Sequence, residues 1–395
     1  MRYAMIMAGG AGTRLWPMSR KDKPKQLLRF IQRDGEKQPR ALLELADKRL
    51  DGLIDQKRRY VCTAEQYRDS VAELLTKYDE DHILGEPAAR DTVNAVGFAA
   101  AILAKEDADA TFAVLTADHV IEPIDTFQER MDLGFRLVEQ DPSRFVTFSI
   151  KPTYPATGFG YVEQGSPIRD AKDGKKLAID GAKDKAYYVQ RFVEKPDRAR
   201  AEVYVESGDY AWNSGMFVWR AQTFLDALAR YKPESYEGLM QIQKAWGGKK
   251  FKSVLAEVYP TLPKISVDFA ILEPAAKDAF KAAASAGKSA SKKPDSHFSV
   301  CTVQMDLTWL DVGSWPSYAE TVKADKSGNR AAGEGASVLI DCKNTLSIAG
   351  KGHTVAVLGM DDVIVVHTPD ATLVMPKSKS EELKKLHGVL EEGLK

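Results

Sequence analysis

Apolar and polar positions along the 395 residues follow two rhythms in turn. Short, nearly continuous apolar runs at Tyr3 to Met7, Arg59 to Thr63, Thr111 to Thr116 and Phe145 to Ile150 read as buried strands. Between them, Ala41 to Leu50, Gln66 to Tyr78 and the alanine-rich Val93 to Lys105 space their apolar residues as helices do. His82-Ile83-Leu84 is a brief strand, and Tyr187 to Glu194, Tyr210 to Trp219 and Phe298 to Val303 are further strands. Helices fill Ala221 to about Ala256, and another opens at Ser266 to Glu273. Strand and helix alternating in this way predict an α/β fold with a Rossmann-like, mostly parallel sheet.

From about Ala331 the rhythm changes to short alternating strands at Ala336–Ile340, Thr345–Ile348, Thr354–Leu358, Val363–His367 and Thr372–Met375. Turns such as Gly359-Met360-Asp361-Asp362 separate them, and a helix from Ser380 to Leu390 closes the chain. The pattern predicts a large α/β domain over residues 1–330 and a small C-terminal all-β domain over 331–395. Asp170 to Lys185, charged and poor in apolar residues, reads as an exposed excursion or hairpin tip. Lys281 to Pro294, rich in Ala, Ser and Lys, reads as a mobile loop.

Charge narrows the function. Lys+Arg and Asp+Glu both total 56, which argues against a nucleic-acid partner or a polybasic membrane surface. An anionic ligand must therefore be held by local charge. Cys62, Cys301 and Cys342 lie far apart without metal-ligand spacing and read as reduced structural thiols of a cytoplasmic protein. The apolar run after Met1-Arg2 is too short for a signal peptide or a membrane span, and no repeat of fixed period is evident.

The first strand empties into Ala8-Gly9-Gly10-Ala11-Gly12-Thr13-Arg14, followed by Leu15-Trp16-Pro17 and Lys23-Pro24-Lys25-Gln26. Glycines at this density leave backbone N–H groups unshielded and permit positive φ, while Arg14, Arg20 and Lys25 supply cations. Together they describe a phosphate site at the carboxyl end of a parallel sheet. It is not a Walker A loop, because Gly12 is followed by Thr13-Arg14, nor a dinucleotide fingerprint, because the third glycine is missing.

Other candidates follow the strand ends. Asp118, just past Phe112-Ala113-Val114-Leu115, is placed to meet Mg²⁺ on a phosphate or to cap a turn, and His119 beside it reads as a structural neighbour. Glu86 sits at a strand-to-helix turn, where it is either an acceptor for a purine base or an exposed turn residue. Gly158 and Gly160 permit close backbone approach to a ligand, and Lys195, after Glu194, can meet a sugar phosphate or the solvent. Asn213 interrupts an apolar strand, Asp268 is either a helix-start carboxylate or a pocket residue, and Asp311 is a second metal candidate at a strand end.

Taken together, these strings closely resemble the mannose-1-phosphate guanylyltransferases (GDP-mannose pyrophosphorylases), a branch of the sugar nucleotidylyltransferases. Matching stretches run from residue 3 to about 376. They include the glycine loop with Trp16-Pro17, Ala117-Asp118-His119, Thr157 to Tyr161, Phe192 to Pro196, Trp212 to Met216 and Asp311 to Trp315. The resemblance implies a nucleotidyltransferase domain at 1–330, GTP and mannose 1-phosphate as partners, and Mg²⁺ as cofactor on Asp118 and Asp311. It implies catalytic roles for Arg14, Lys25 and Lys195, and nucleotide contacts from Ala8, Gly9, Gly10, Gly12, Thr13, Glu86 and Asp118. Gly158, Glu194 and Asn213 would contact the hexose. The chain departs from the family pattern at Arg90-Asp91-Thr92-Val93-Asn94-Ala95, where Arg-Asn-Thr-Ala-Pro-Ala is usual. No isomerase-like extension follows residue 395, so the expectation is one activity, and the appended β domain leaves a homodimer open.

Overall fold

In the computed structural model, which describes residues 1–10, 12–33, 35–168, 181–182, 185–285 and 298–395, the apolar runs pair into one nine-stranded sheet. Its order is Ile83–Glu86, Arg59–Ala64, Arg2–Met7, Thr111–Thr116, Tyr210–Arg220, Arg144–Ile150, Ser299–Gln304, Ala186–Val193 and Tyr161–Pro167. Two of the nine, Ala186–Val193 and Tyr210–Arg220, run against the rest, so the sheet is mostly parallel, as expected. Parallel strands need crossovers, and the helices Leu42–Lys48, Asp91–Glu106 and Ile124–Gln140 supply them.

Helices cover both faces. Asp91–Glu106 is buried without a break from Val93 to Leu103 because it lies between the sheet and a further layer formed by Ala221–Tyr231 and Pro233–Ala245. An alanine-rich helix apolar on every side suits that middle position. The opposite face packs Phe127, Met131, Phe135 and Val138 of Ile124–Gln140 onto Val146, Phe148 and Leu115.

Beyond the sheet, the short strands at Ala336–Ile340, Thr354–Leu358 and Val363–His367 match the predicted bounds. Their pairing is a finding the alternation did not carry. Arg330–Gly333, Leu346–Ala349 and Val363–His367 stack in parallel, as do Ala336–Ile340 and Thr354–Leu358, so the unit coils as a β-helix instead of forming hairpins. Thr372–Pro376 alone returns antiparallel. The inward side chains Leu346, Ile348, Ile364 and Val366 share one cluster with Leu15, Trp16, Val312 and Trp315, so the β-helix is packed on the segment that follows the glycine loop.

The predicted closing helix is a tight turn at Lys377–Glu382 followed by Leu383–Val389. Most of the expected excursion at Asp170 to Lys185 lies outside the described residues, as does the expected loop beyond Ser285, whereas Lys281 begins the last turn of the helix Glu273–Ser285. All three cysteines are buried, and none forms a disulfide. Among the described residues no helix is long and apolar enough to cross a membrane.

Candidate active site

The glycine loop leaves the sheet at the carboxyl end of Arg2–Met7, held on either side by Ala8 N donating to Cys62 O (2.8 Å) and Ala117 N donating to Met7 O (3.0 Å). Gly10 and Gly12 adopt φ of 94° and 63°, a region that favours glycine. Space imposes a second demand at Gly12, where a Cβ would lie 2.9 Å from Lys25 Cβ. That close approach lets Pro24-Lys25-Gln26 fold back under the loop. The Gln26 amide donates to Gly9 O, and Ser19 Oγ donates to Gly12 O at 2.7 Å, so the backbone is braced while Gly9 and Gly10 stay exposed. Thr13 and Arg14 follow in a single tight turn, Thr13–Leu15.

Lys25 is buried, and its ammonium donates to Asp118 Oδ2 at 2.8 Å and to Val312 O at 3.1 Å. Asp311 arrives from a distant part of the chain. The strand Thr308–Asp311 pairs antiparallel with His119–Glu122 so that Asp311 faces His119. Ligand atoms of Asp118, His119 and Asp311 lie within 4.8 Å of one another. Burial alone would raise Asp118, but the charge of Lys25 and its hydrogen bond hold its carboxyl well below the usual range. Burial, and then the charge of Asp118, push Asp311 upward.

His119 stands beside the two carboxylates, with Thr116 Oγ1 2.6 Å from its Nδ1. Trp309 Nε1, which can only donate, lies 3.1 Å from His119 Nδ1, so Nδ1 accepts and the proton sits on Nε2, 3.7 Å from Asp118 Oδ1. Burial keeps the ring neutral by pushing its pKa down to about 4. Asp118 and Asp311 offer carboxylates to this group, and Asp311 Oδ1 is buried without a hydrogen-bond partner. An orphaned anionic oxygen beside a second carboxylate fits a hard divalent cation that prefers oxygen ligands.

The other predicted residues form two further groups. Gly160 O accepts from Asn213 N at 2.8 Å, and a Cβ on Gly160 would lie 2.4 Å from Glu194 Oε2, so glycine there makes room for that carboxylate. Lys195 Nζ donates to Glu194 Oε1 at 2.6 Å, with the lysine side chain 60% exposed and the glutamate only 7%. Thr147 Oγ1 donates to Asn213 Oδ1 at 2.5 Å, which turns the Asn213 amide so that Nδ2 donates to Asp268 Oδ1 at 2.9 Å. Asp268, which opens the helical turn Asp268–Leu272, is thereby tied to Asn213. Burial, reinforced by Glu194, pushes its pKa up to about 7. Phe159, Trp212 and Trp309 stack edge to face between this group and His119, with centroids 4.9 to 5.3 Å apart along the row. Gly158 is exposed beside Phe159.

Glu86 ends the strand Ile83–Glu86 and accepts from Tyr259 Oη at 2.5 Å. Burial raises its pKa, with Tyr259 and Cys62 opposing. It is a fixed, half-buried acceptor and not a loose turn residue. Asn94, one of the departures from the family pattern, donates to Arg90 O (3.0 Å) and Pro263 O (2.7 Å), tying this turn to the segment before Asp268. Arg20 differs from its reading as a phosphate cation. Its guanidinium lies over Trp16 and on Asp370 of the β-helix (2.9 and 3.0 Å), so it braces the loop from outside. Sequence reasoning missed Tyr259, Thr147 and Trp309, for which only spatial proximity gives a signal.

Comparison with known proteins identifies the family of the chain. A family model for nucleotidyl transferases matches residues 3–328, and one for a MannoseP isomerase/GMP-like beta-helix domain matches residues 335–390. Mannose-1-phosphate guanylyltransferases of Klebsiella pneumoniae and Escherichia coli are 34% and 33% identical to the chain, covering 98% of it and 73% of their own length. The solved structure of a protein described as mannose-1-phosphate geranyltransferase, from Thermus thermophilus, is 29% identical and superposes over 98% of both chains with a TM-score of 0.78. The coverage extends through both the α/β sheet and the β-helix, and the chain belongs to the nucleotidyl transferase family, among the mannose-1-phosphate guanylyltransferases.

Proposed function

We propose that the protein transfers a guanylyl group from GTP to mannose 1-phosphate, giving GDP-mannose and pyrophosphate. The observation that carries this reading is the meeting of Lys25, Asp118 and Asp311 at the foot of the glycine loop, in a chain whose relatives are guanylyltransferases.

A phosphate oxygen of mannose 1-phosphate attacks the α-phosphorus of GTP in line, and the bond to the β-phosphate breaks opposite it. The nucleophile is already ionised, so no side chain has to remove a proton, and catalysis consists of positioning and charge stabilisation. Backbone N–H groups of Gly9, Gly10, Gly12 and Thr13, next to Ala8, cradle the β- and γ-phosphates. Arg14 and Lys25 stabilise the charge that builds on the departing pyrophosphate. Asp118 and Asp311 would hold Mg²⁺, which when bound supplies further neutralisation of phosphate charge. Lys195 reduces repulsion between the two approaching anions. Glu194, Asn213 and the backbone at Gly158 and Gly160 orient the hexose. Glu86 accepts from the guanine N1–H and N2–H₂ edge, which adenine lacks. The three buried thiols suit a cytoplasmic enzyme.

The test is to incubate the purified chain with GTP, mannose 1-phosphate and Mg²⁺ and resolve the products by anion-exchange chromatography. GDP-mannose and pyrophosphate in equal amounts are expected. Absence of the sugar nucleotide under saturating substrates would refute the assignment.

A further inference from the structure

Arg14, assigned above to the triphosphate, already has an anionic partner. Its Nη1 lies 2.9 and 3.1 Å from the two carboxylate oxygens of Glu381, which sits on the turn Lys377–Glu382 after the β-helix. The same guanidinium rests over Gly313, where a Cβ would lie 3.0 Å from Arg14 Nη2 and 3.3 Å from Asp311 Oδ1. Arg14 is thus suspended at the strand edge beside Asp311, with Glu381 on its other side. The two members of the pair are 32% and 67% exposed, so the contact stands at the mouth of the site and not in its floor.

Other ties join this stretch to the C-terminal segment, two of them from residues close to Arg14. Arg20 binds Asp370, and Trp16 Nε1 donates to Leu394 O at 2.8 Å. Neither occupies a group assigned to the triphosphate. Glu381 does, with two oxygens on one guanidinium nitrogen, much as two oxygens of a phosphate would sit. A triphosphate brought to Arg14 would meet the Glu381 carboxylate at the same nitrogen, and like charges at that range repel. The two anions compete for Nη1.

We propose that Glu381 competes with the nucleotide for Arg14: it occupies the guanidinium beside Asp311 until a nucleotide phosphate displaces it. The proposal rests on the assignment of Arg14 to the triphosphate. Each nucleotide that binds then releases the turn Lys377–Glu382 from the loop, and each pyrophosphate that leaves returns Arg14 to Glu381.

Steady-state kinetics of the full chain separate the possibilities. Glu381→Gln should lower the KM for GTP by about two- to five-fold, the range that an exposed ion pair supports, and leave the KM for mannose 1-phosphate unchanged. Asp370→Asn cuts the neighbouring Arg20 tie and should not move the KM for GTP. In an Arg14→Ala background, Glu381→Gln should no longer have any effect on it. An unchanged or raised KM for GTP in Glu381→Gln, with Arg14→Ala still raising it, overturns the proposal alone. If Arg14→Ala leaves the KM for GTP untouched, the assignment of Arg14 falls and takes the proposal with it. Hydrogen exchange on the wild-type chain gives a readout that needs no variant. Amides at 377–382 should exchange faster with GTP and Mg²⁺ bound, and slower or equal exchange contradicts displacement.

Discussion

Lys25 Nζ donates to Asp118 Oδ2 at 2.8 Å, joining the end of the glycine-loop motif to the end of the strand Thr111–Thr116 across 93 residues of sequence. The ammonium lowers the Asp118 carboxyl, while burial, and then the charge of Asp118, raise Asp311 beside it. The two carboxylates are left with unlike affinities for a proton, in a place where a divalent cation would hold both ionised.

Asp118→Asn and Asp311→Asn should each abolish Mg²⁺-dependent turnover while leaving the circular dichroism spectrum unchanged. Either swap removes a negative oxygen ligand with little change of volume. Near-normal rates in one variant would remove that carboxylate from the mechanism.

Removing Lys25 or Arg14 should cost roughly 10²-fold or more in kcat/KM, the usual scale for deleting one charged transition-state stabiliser. Lys25→Ala carries a second consequence, because it frees the buried Asp118 carboxylate from its partner. The proton affinity of Asp118 should rise, and Mg²⁺ dependence should move to higher pH. Loss confined to the KM for mannose 1-phosphate would place either residue on the sugar side.

Lys195 lies with Glu194, Asn213 and Asp268, apart from the glycine loop. Its replacement by Met should weaken mannose 1-phosphate far more than GTP, read as separate KM values. Equal loss of both affinities would contradict the division of the site into two halves.

Asp268 gives a pH signature. Its carboxyl is lifted from the ordinary 3.8 to about 7 by burial and by Glu194, so the folded state disfavours its charge. Below pH 4 the group is neutral whether folded or not, and it carries no penalty. As pH rises through the unfolded value toward 7 the penalty grows, and above 7 it is constant. Asp268→Asn keeps an acceptor for Asn213 Nδ2 and removes the charge. Its melting temperature relative to wild type should climb between pH 4 and pH 7 and then level. A difference independent of pH would show that Asp268 titrates normally.

Much of this was legible in the chain because the signals are local. A continuous apolar run bounded by polar residues places Thr111–Thr116 and, with it, Asp118 at the ligand edge. Glycines that need positive φ place the loop, and the helix Asp91–Glu106 announces its burial by having no polar face. What escaped depends on pairing. Alternation in Ala336–Ile340 and Thr354–Leu358 marks strands, but only register shows that they stack in parallel. Asp311 reads as a strand-end carboxylate, yet its place beside Asp118 follows from the pairing of Thr308–Asp311 with His119–Glu122. Arg20 and Arg14 look alike in sequence. Their different fates are decided by Asp370 and Glu381, 350 and 367 residues away.

The most direct test is to compare kcat/KM for GTP and ATP with mannose 1-phosphate as the fixed acceptor, in the wild type and in Glu86→Gln. An acceptor held by Tyr259 cannot turn away when adenine offers no donor, and each unmet buried group costs about 1–3 kcal/mol. Two such mismatches predict roughly 10²- to 10⁴-fold preference for GTP, partly lost in Glu86→Gln because an amide can donate to adenine N1. Equal use of GTP and ATP by the wild type would contradict guanylyl transfer, whatever became of the phosphate and metal residues.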